Sequence, residues 1–151
     1  MQTKMWPLLG VMGLAVLASG VARAGVLERV AAGGALVVAH RESSIPFSYL
    51  DSKKEAVGYA VDLCLKLAEA VRKKTGAKAM PVQFLQVTPA NRIATIEEGK
   101  ADLECGSTTN NAERRQKVAF TIPHFITGAR MLVRSDAKVD RIEDLYGKKL
   151  V

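Results

Sequence analysis

Residues 104–115 read ECGSTTNNAERR, and the rest of the chain is organised around them. The stretch opens at the end of an apolar-flanked strand signal, Ala101-Asp102-Leu103-Glu104-Cys105. It crosses a small-residue loop, Gly106-Ser107-Thr108-Thr109, and ends on Arg114 and Arg115. Hydroxyls, backbone N–H groups of an irregular turn and a guanidinium within so few residues are the parts of a carboxylate-binding cradle. Each also has a plainer reading. Ser107 and Thr109 suit an ordinary turn, and Asn110-Asn111 suits a turn or a helix cap. Arg114 and Arg115 are adjacent, so on a helix they diverge and at most one of them faces a pocket.

Working outward, apolar continuity and periodicity predict strands alternating with helices. Ala35–His40 (ALVVAH) is a continuous apolar run, the pattern of a parallel strand buried on both faces. Before it, residues 27–32 (LERVAA) form a helical turn closed by Gly33-Gly34. After it, Phe47–Tyr49 and Ala56–Tyr59 flank the turn-rich segment 51–55, the pattern of a hairpin. From Ala60 to Lys74, apolar residues Val61, Cys64, Leu65, Ala68 and Val71 recur at helical spacing, and Gly76 marks the stop. Residues 81–87 (PVQFLQV) alternate as a second strand. Thr88 then caps a helix with Pro89 in its first position, running to Gly99. Residues 102–105 are the third strand. Beyond the central stretch, 118–121 form a short extended piece, 129–134 (ARMLVR) a strand and 141–146 a short helix. Residues 148–151 (KKLV) read as the start of a further strand. The fold class is α/β with a mostly parallel sheet. A strand with nothing after it lacks cover for its second face, which suggests a truncated second lobe. The alternative is that 135–151 is a tail docked on the first lobe.

The ends and the composition narrow the function classes. Lys4, the apolar run 8–18 and the Ala22-Arg23-Ala24 site together have the form of a secretory signal peptide cut after Ala24. The apolar run is too short for a membrane-spanning helix. The formal charge of +7 does not mark a nucleic-acid binder, because the basic residues are interspersed with acids and aromatic residues make up only 5%. Two cysteines, Cys64 and Cys105, permit one disulfide in an oxidising compartment. Either could instead be a small buried hydrophobe, and Cys105 could pair beyond residue 151. With His40 and His124 far apart, no metal-ligand spacing is present. No Ser-His-Asp order or phosphate loop occurs, so no catalytic residue, metal or cofactor is assigned.

Parallel sheets of this type bind ligands at the carboxyl ends of their strands. Arg41 follows the first strand and Arg92 lies on the helix after the second. Ser107, Thr109 and Arg114 follow the third. One arginine suffices for an amino acid's α-carboxylate, and further arginines suit a second carboxylate on the side chain. Arg41 could equally pair with Glu42 or Asp62 at the surface, and Arg92 could be a solvated helix charge.

The motifs HRESSIPFSY (40–49), GYAVDL (58–63), NRI (91–93) and ECGSTTNNAER (104–114) resemble the periplasmic amino-acid-binding proteins of ABC importers, the family-three solute-binding proteins. The resemblance runs from about Ala35 to Val151, and ECGSTTNN and HRESS resemble the acidic-amino-acid branch. It implies a periplasmic-binding-protein-like lobe over 25–134, including a first hinge strand at 129–134, with 135–151 as linker and start of a truncated second lobe. It implies a non-enzymatic, monomeric receptor for glutamate or aspartate, without cofactor, that presents its ligand to an inner-membrane permease. Arg114 would then hold the α-carboxylate. Ser107 and Thr109 would bond around the α-carboxylate and α-amino group, and Arg41 and Arg92 would address the acidic side chain. Relatives usually carry Ser or Thr three residues before Arg92. Here that residue is Pro89, which removes a hydroxyl contact. Second-lobe ligand contacts are absent from the chain. A cyclohexadienyl-dehydratase-like enzyme and a sensory module are the alternatives on the same scaffold.

Overall fold

The computed structural model describes residues 25–128 and 130–149. The expected signal peptide, 1–24, lies outside the described residues, as do Ala129, Leu150 and Val151. In chain order the elements are α1 (Val26–Ala31), β1 (Leu36–Arg41), β2 (Ser43–Ser44), β3 (Ser48–Leu50), β4 (Ala56–Val57), α2 (Tyr59–Thr75), β5 (Val82–Val87), α3 (Arg92–Glu97), β6 (Leu103–Cys105) and α4 (Ala112–Arg115). A 3-10 turn, Ile142–Leu145, follows. The described residues up to Thr109 form one compact unit and those from Asn110 a second.

In the first unit, β1 lies between β5 and β6 and runs parallel to both. The continuous apolar run suits this central place, because both faces of β1 are covered. Leu36 and Val38 point into a core with Val30, Ala68, Ala77 and Cys105. Val37 and Ala39 face the other way, toward Val87, Ala101 and Ile96 of α3. The register pairs Arg41 with Val87 and His40 with Cys105, so the three strands end close to one level.

Two links tie the sheet at its opposite ends. At the start of β1, Asp102 closes a reciprocal pair. Val37 N–H donates to Asp102 Oδ2 at 2.8 Å, and Asp102 N–H donates to the Val37 carbonyl at 2.8 Å. Arg29 Nη2 donates to Asp102 Oδ1 at 2.5 Å, and Arg29 Nη1 donates to the Ala35 carbonyl. At the far end a disulfide joins Cys64 of α2 to Cys105 of β6, with the Cα atoms 6.4 Å apart. Of the alternatives open in the sequence, the intrachain bridge is the one realised.

The antiparallel meander β2-β3-β4 contains the expected hairpin. Its turn is built on Asp51, whose Oδ1 accepts from Lys53 N–H at 2.8 Å and Glu55 N–H at 2.9 Å. Gly58 leads from this hairpin into α2 with φ 126°, and a Cβ there would stand 2.6 Å from the Phe47 carbonyl oxygen. Both the dihedral and the close approach require glycine. α2 ends on Gly76 in the left-handed conformation, as its sequence predicts. Leu65, expected on the buried face, is exposed. The stripe that packs is narrower, comprising Val61, Cys64, Ala68 and Val71.

Several expectations are corrected. The helix after β5 becomes regular at Arg92 rather than at Pro89. Thr88 and Asn91 pair reciprocally, with Thr88 N–H donating to Asn91 Oδ1 at 2.8 Å and Asn91 N–H donating to Thr88 Oγ1 at 3.3 Å. This closes a turn ahead of the helix. The expected Thr88 cap is not formed, since the N-cap is Asn91 and no side chain caps it; the Thr88 carbonyl accepts from Arg92 N–H. In the second unit, 130–134, expected as part of a strand, are irregular. Leu132 is 101% exposed, and no ladder partner for 130–134 occurs among the described residues. An apolar run alone does not make a strand when its backbone groups have nothing to pair with. Residues 148 and 149 are likewise not in a strand. The helix expected at 141–146 is the 3-10 turn, held by Asp144 Oδ2 accepting from Asp140 N–H and Arg141 N–H at 3.0 Å each. Those two donors hold the Asp144 carboxyl below its usual range.

Asp102 carries the N-terminal tie between β1 and β6 while its side chain is largely buried. Asp102→Ala strands the Val37 N–H and the Arg29 guanidinium. We expect urea denaturation to register a loss of about 2 kcal/mol, the scale of charged hydrogen bonds.

Candidate functional site

The C-terminal ends of β1, β5 and β6 open onto one end of the sheet. β1 delivers Arg41 as its last residue. Alternation places Arg41 on the sheet face of Ala39, the face that packs against α3. Its backbone is pinned, with Arg41 N–H donating to Ser48 Oγ at 2.9 Å, and Ser48 is fully buried. Neither surface alternative for its side chain is realised, since among the described residues no ion pair joins Arg41 to Glu42 or Asp62. Glu42 instead accepts from Gln86 Nε2 at 3.2 Å.

Arg92 opens α3 and is 8% exposed. The solvated-charge alternative therefore fails. A guanidinium buried to this degree is retained where an anion or a fixed acceptor compensates it.

β6 delivers the 106–109 loop. Cys105 is fixed in the core by the register with His40 and by its bridge to α2. Gly106 follows directly, wedged between two side chains. A Cβ at this position would lie 2.7 Å from Glu104 Oε1 and 3.1 Å from Arg41 Cγ. Glu104 pairs in register with Ala39, so it shares a sheet face with Arg41. Ser107 is exposed, and its Oγ lies 2.6 Å from Ser44 Oγ of β2. Thr109 is exposed at the end of the loop. Arg41, Arg92, Ser107 and Thr109 thus all belong to the first unit, with Arg41 and Ser107 flanking Gly106.

Arg114 belongs to the second unit. It lies in α4, where Asn111 Oδ1 accepts from Arg114 N–H at 2.9 Å, so the Asn is a helix cap. The adjacent arginines diverge as helical geometry requires. Arg115 is exposed and donates through Nη1 to Asn110 Oδ1 at 2.9 Å, while Arg114 is half-buried.

Sequence reasoning missed Ser44, Ser48 and Glu104 as neighbours of the site. Ser44 sits within the quoted HRESS motif and Glu104 within ECGSTTNN, but the first unit's packing is what brings them beside Ser107 and Arg41. No group of three or more His, Cys, Asp or Glu residues suited to a metal occurs among the described residues.

The first unit is thus a parallel α/β lobe whose adjacent strand ends carry Arg41, the turn leading to Arg92 and the Ser107–Thr109 loop. The chain belongs to the bacterial extracellular solute-binding proteins, family 3, whose family profile matches residues 36–146. It is 41% identical over 140 residues to a "Glutamate/aspartate import solute-binding protein" of Salmonella typhimurium, covering 92% of this chain and 46% of that protein. The chain therefore spans about half the length of the curated relatives it matches. Among solved structures, an ancestral cyclohexadienyl dehydratase superposes with a TM-score of 0.55 at 26% identity, covering 68% of this chain and 39% of that one. A mutant of the arginine-bound form of domain 1 from TmArgBP superposes with a TM-score of 0.53 at 25% identity, covering 66% of this chain and 71% of that one.

The wedge at Gly106 makes a direct test of this geometry. The added methyl of Gly106→Ala meets flexible side chains rather than backbone, so we expect a loss of only about 1 kcal/mol in urea denaturation. The Arg41 side-chain Nε–H resonance should shift in an NMR spectrum, whereas an unchanged resonance would contradict the packing described.

Proposed function

We propose that the chain is the amino-acid-binding first lobe of an extracytoplasmic receptor that captures L-glutamate and L-aspartate for an ABC importer. The observation that carries this reading is the burial of Arg92, which opens the helix after β5, on a sheet whose adjacent strand ends bear Arg41 and the Ser107–Thr109 loop. The names of the relatives at about 40% identity, glutamate/aspartate-binding proteins, support the ligand class.

The division of labour follows from chemistry. Every amino acid carries an α-carboxylate, and the Ser107 and Thr109 hydroxyls supply donors for it. Acidic specificity requires further positive charge at the side-chain end, and Arg41 and Arg92 supply it. A buried guanidinium discriminates strongly. A ligand carboxylate offers it a charge-assisted, two-oxygen partner, whereas an amide offers a single neutral acceptor. Pro89 offers no hydroxyl, so Arg92 bears more of the side-chain recognition here.

In this reading residues 1–24 direct export and are removed, residues 25–134 form the ligand lobe, and residues 135–151 lead into a second lobe. The receptor works in the periplasm as a monomer and delivers its ligand to a permease. The arginine-bound single domain from TmArgBP supports testing the present chain by itself. The ancestral cyclohexadienyl dehydratase on the same scaffold supplies the rival reading, an enzyme acting on prephenate. A colorimetric prephenate assay separates the two.

Isothermal titration of the chain should show binding of L-glutamate and L-aspartate with L-glutamine at least tenfold weaker. Equal affinity for glutamate and glutamine would sink the acidic-ligand assignment. Arg92→Ala should lose about 10- to 100-fold in glutamate affinity, the scale of a charge-assisted hydrogen bond, and change glutamine affinity far less.

A further inference from the structure

The Ser44 and Ser107 hydroxyl oxygens stand 2.6 Å apart, and either can be the donor. Ser44 is anchored independently of the loop. It pairs across β2 and β3 with Ser48, and Ser48 Oγ accepts from Arg41 N–H. Its backbone is held again by the Phe47 N–H donating to the Ser44 carbonyl at 2.8 Å. The serine hydroxyl is thus mounted on the same small sheet that pins the backbone of Arg41. Ser107, by contrast, sits on an exposed irregular loop. A free serine on such a loop samples several rotamers, and fixing one costs conformational entropy on binding.

We propose that Ser44 is a positioning residue for Ser107, orienting its proton toward a ligand carboxylate. A hydroxyl has one proton to donate and two lone pairs. A carboxylate only accepts, so when it meets Ser107 the Ser107 proton must point to the ligand. The bond to Ser44 is then kept only if Ser44 donates to Ser107. The result is a directed chain, Ser44 O–H to Ser107 O–H to carboxylate. Each bond polarises the next, and the terminal donor is strengthened where an anion is bound. Ser44 touches no ligand in this arrangement. It fixes the rotamer of the residue that does and supplies the second link of the chain.

This inference rests on the amino-acid-binding reading, and a double-mutant cycle separates their failures. Isothermal titration with L-glutamate would compare the parent, Ser44→Ala, Ser107→Ala, the double variant and Ser44→Thr, with thermal unfolding of each. Ser44→Ala should bind about fivefold more weakly with an unfolding midpoint close to the parent's. Ser44→Thr, which keeps the hydroxyl, should return to within twofold. The double variant should bind no more than about twofold more weakly than Ser107→Ala alone, because Ser44 acts only through Ser107. Parent-like binding by Ser44→Ala, or single losses that multiply in the double variant, would overturn the role of Ser44 and leave the receptor reading intact. A parent that binds no acidic amino acid would overturn both. A Ser44→Ala protein with a lowered unfolding midpoint is judged by the cycle and by the threonine variant, since a general packing defect would persist in Ser44→Ala/Ser107→Ala and multiply.

Discussion

The parallel pairing of β1 with both β5 and β6 is the constraint on which the site depends. Its register sets Arg41 opposite Val87 and His40 opposite Cys105. Three connections therefore leave the sheet at nearly one height. Arg41 occupies the first of them, the Thr88–Asn91 turn leading to Arg92 the second, and the Gly106–Thr109 loop the third. A one-residue slip of β1 would move Arg41 to the opposite face, because side chains alternate with period two. The slip is opposed by burial, since Leu36 and Val38 on one face and Ala39 on the other are all enclosed.

Two covalent or ionic ties secure that register at its ends. Asp102, reached by Arg29 and by the Val37 N–H, joins the starts of β1 and β6. The Cys64–Cys105 bridge joins α2 to the end of β6, one residue before Gly106. Cross-linking residues 41 positions apart restricts the unfolded chain, an effect of about 4 kcal/mol in the loop-entropy picture. Its placement matters as much as its size. The bridge fixes the root of the Gly106–Thr109 loop, which therefore leaves the sheet from a set position. The far end of the loop is the exposed Thr109.

The neighbourhood of Gly106 shows how little space separates recognition from support. Glu104, Gly106 and Arg41 occupy one patch in which no side chain larger than hydrogen fits at residue 106 without displacing its neighbours. Glu104 thus sets an acidic side chain on the sheet face of Arg41, with Gly106 between them.

Much of the fold was legible in the sequence. The buried central strand, the long helix with its glycine stop, the hairpin on Asp51 and the strand–loop order of 102–109 all follow from local pattern, since each is dictated by period, turn chemistry or capping. The identities of Arg41, Arg92, Ser107, Thr109 and Arg114 as candidates also came from residue type and strand-end position. Other features were beyond local pattern. Residues 130–134 carry a strand-like apolar run yet are irregular, because strand formation needs a partner that no local pattern supplies. The burial of Arg92, the Cys64–Cys105 pairing and the meeting of Ser44 with Ser107 join residues up to 63 positions apart in sequence. Only the packed arrangement of β1, β5, β6 and the small meander brings such residues together, because side-chain proximity across a sheet is set by register and crossover, which are tertiary properties.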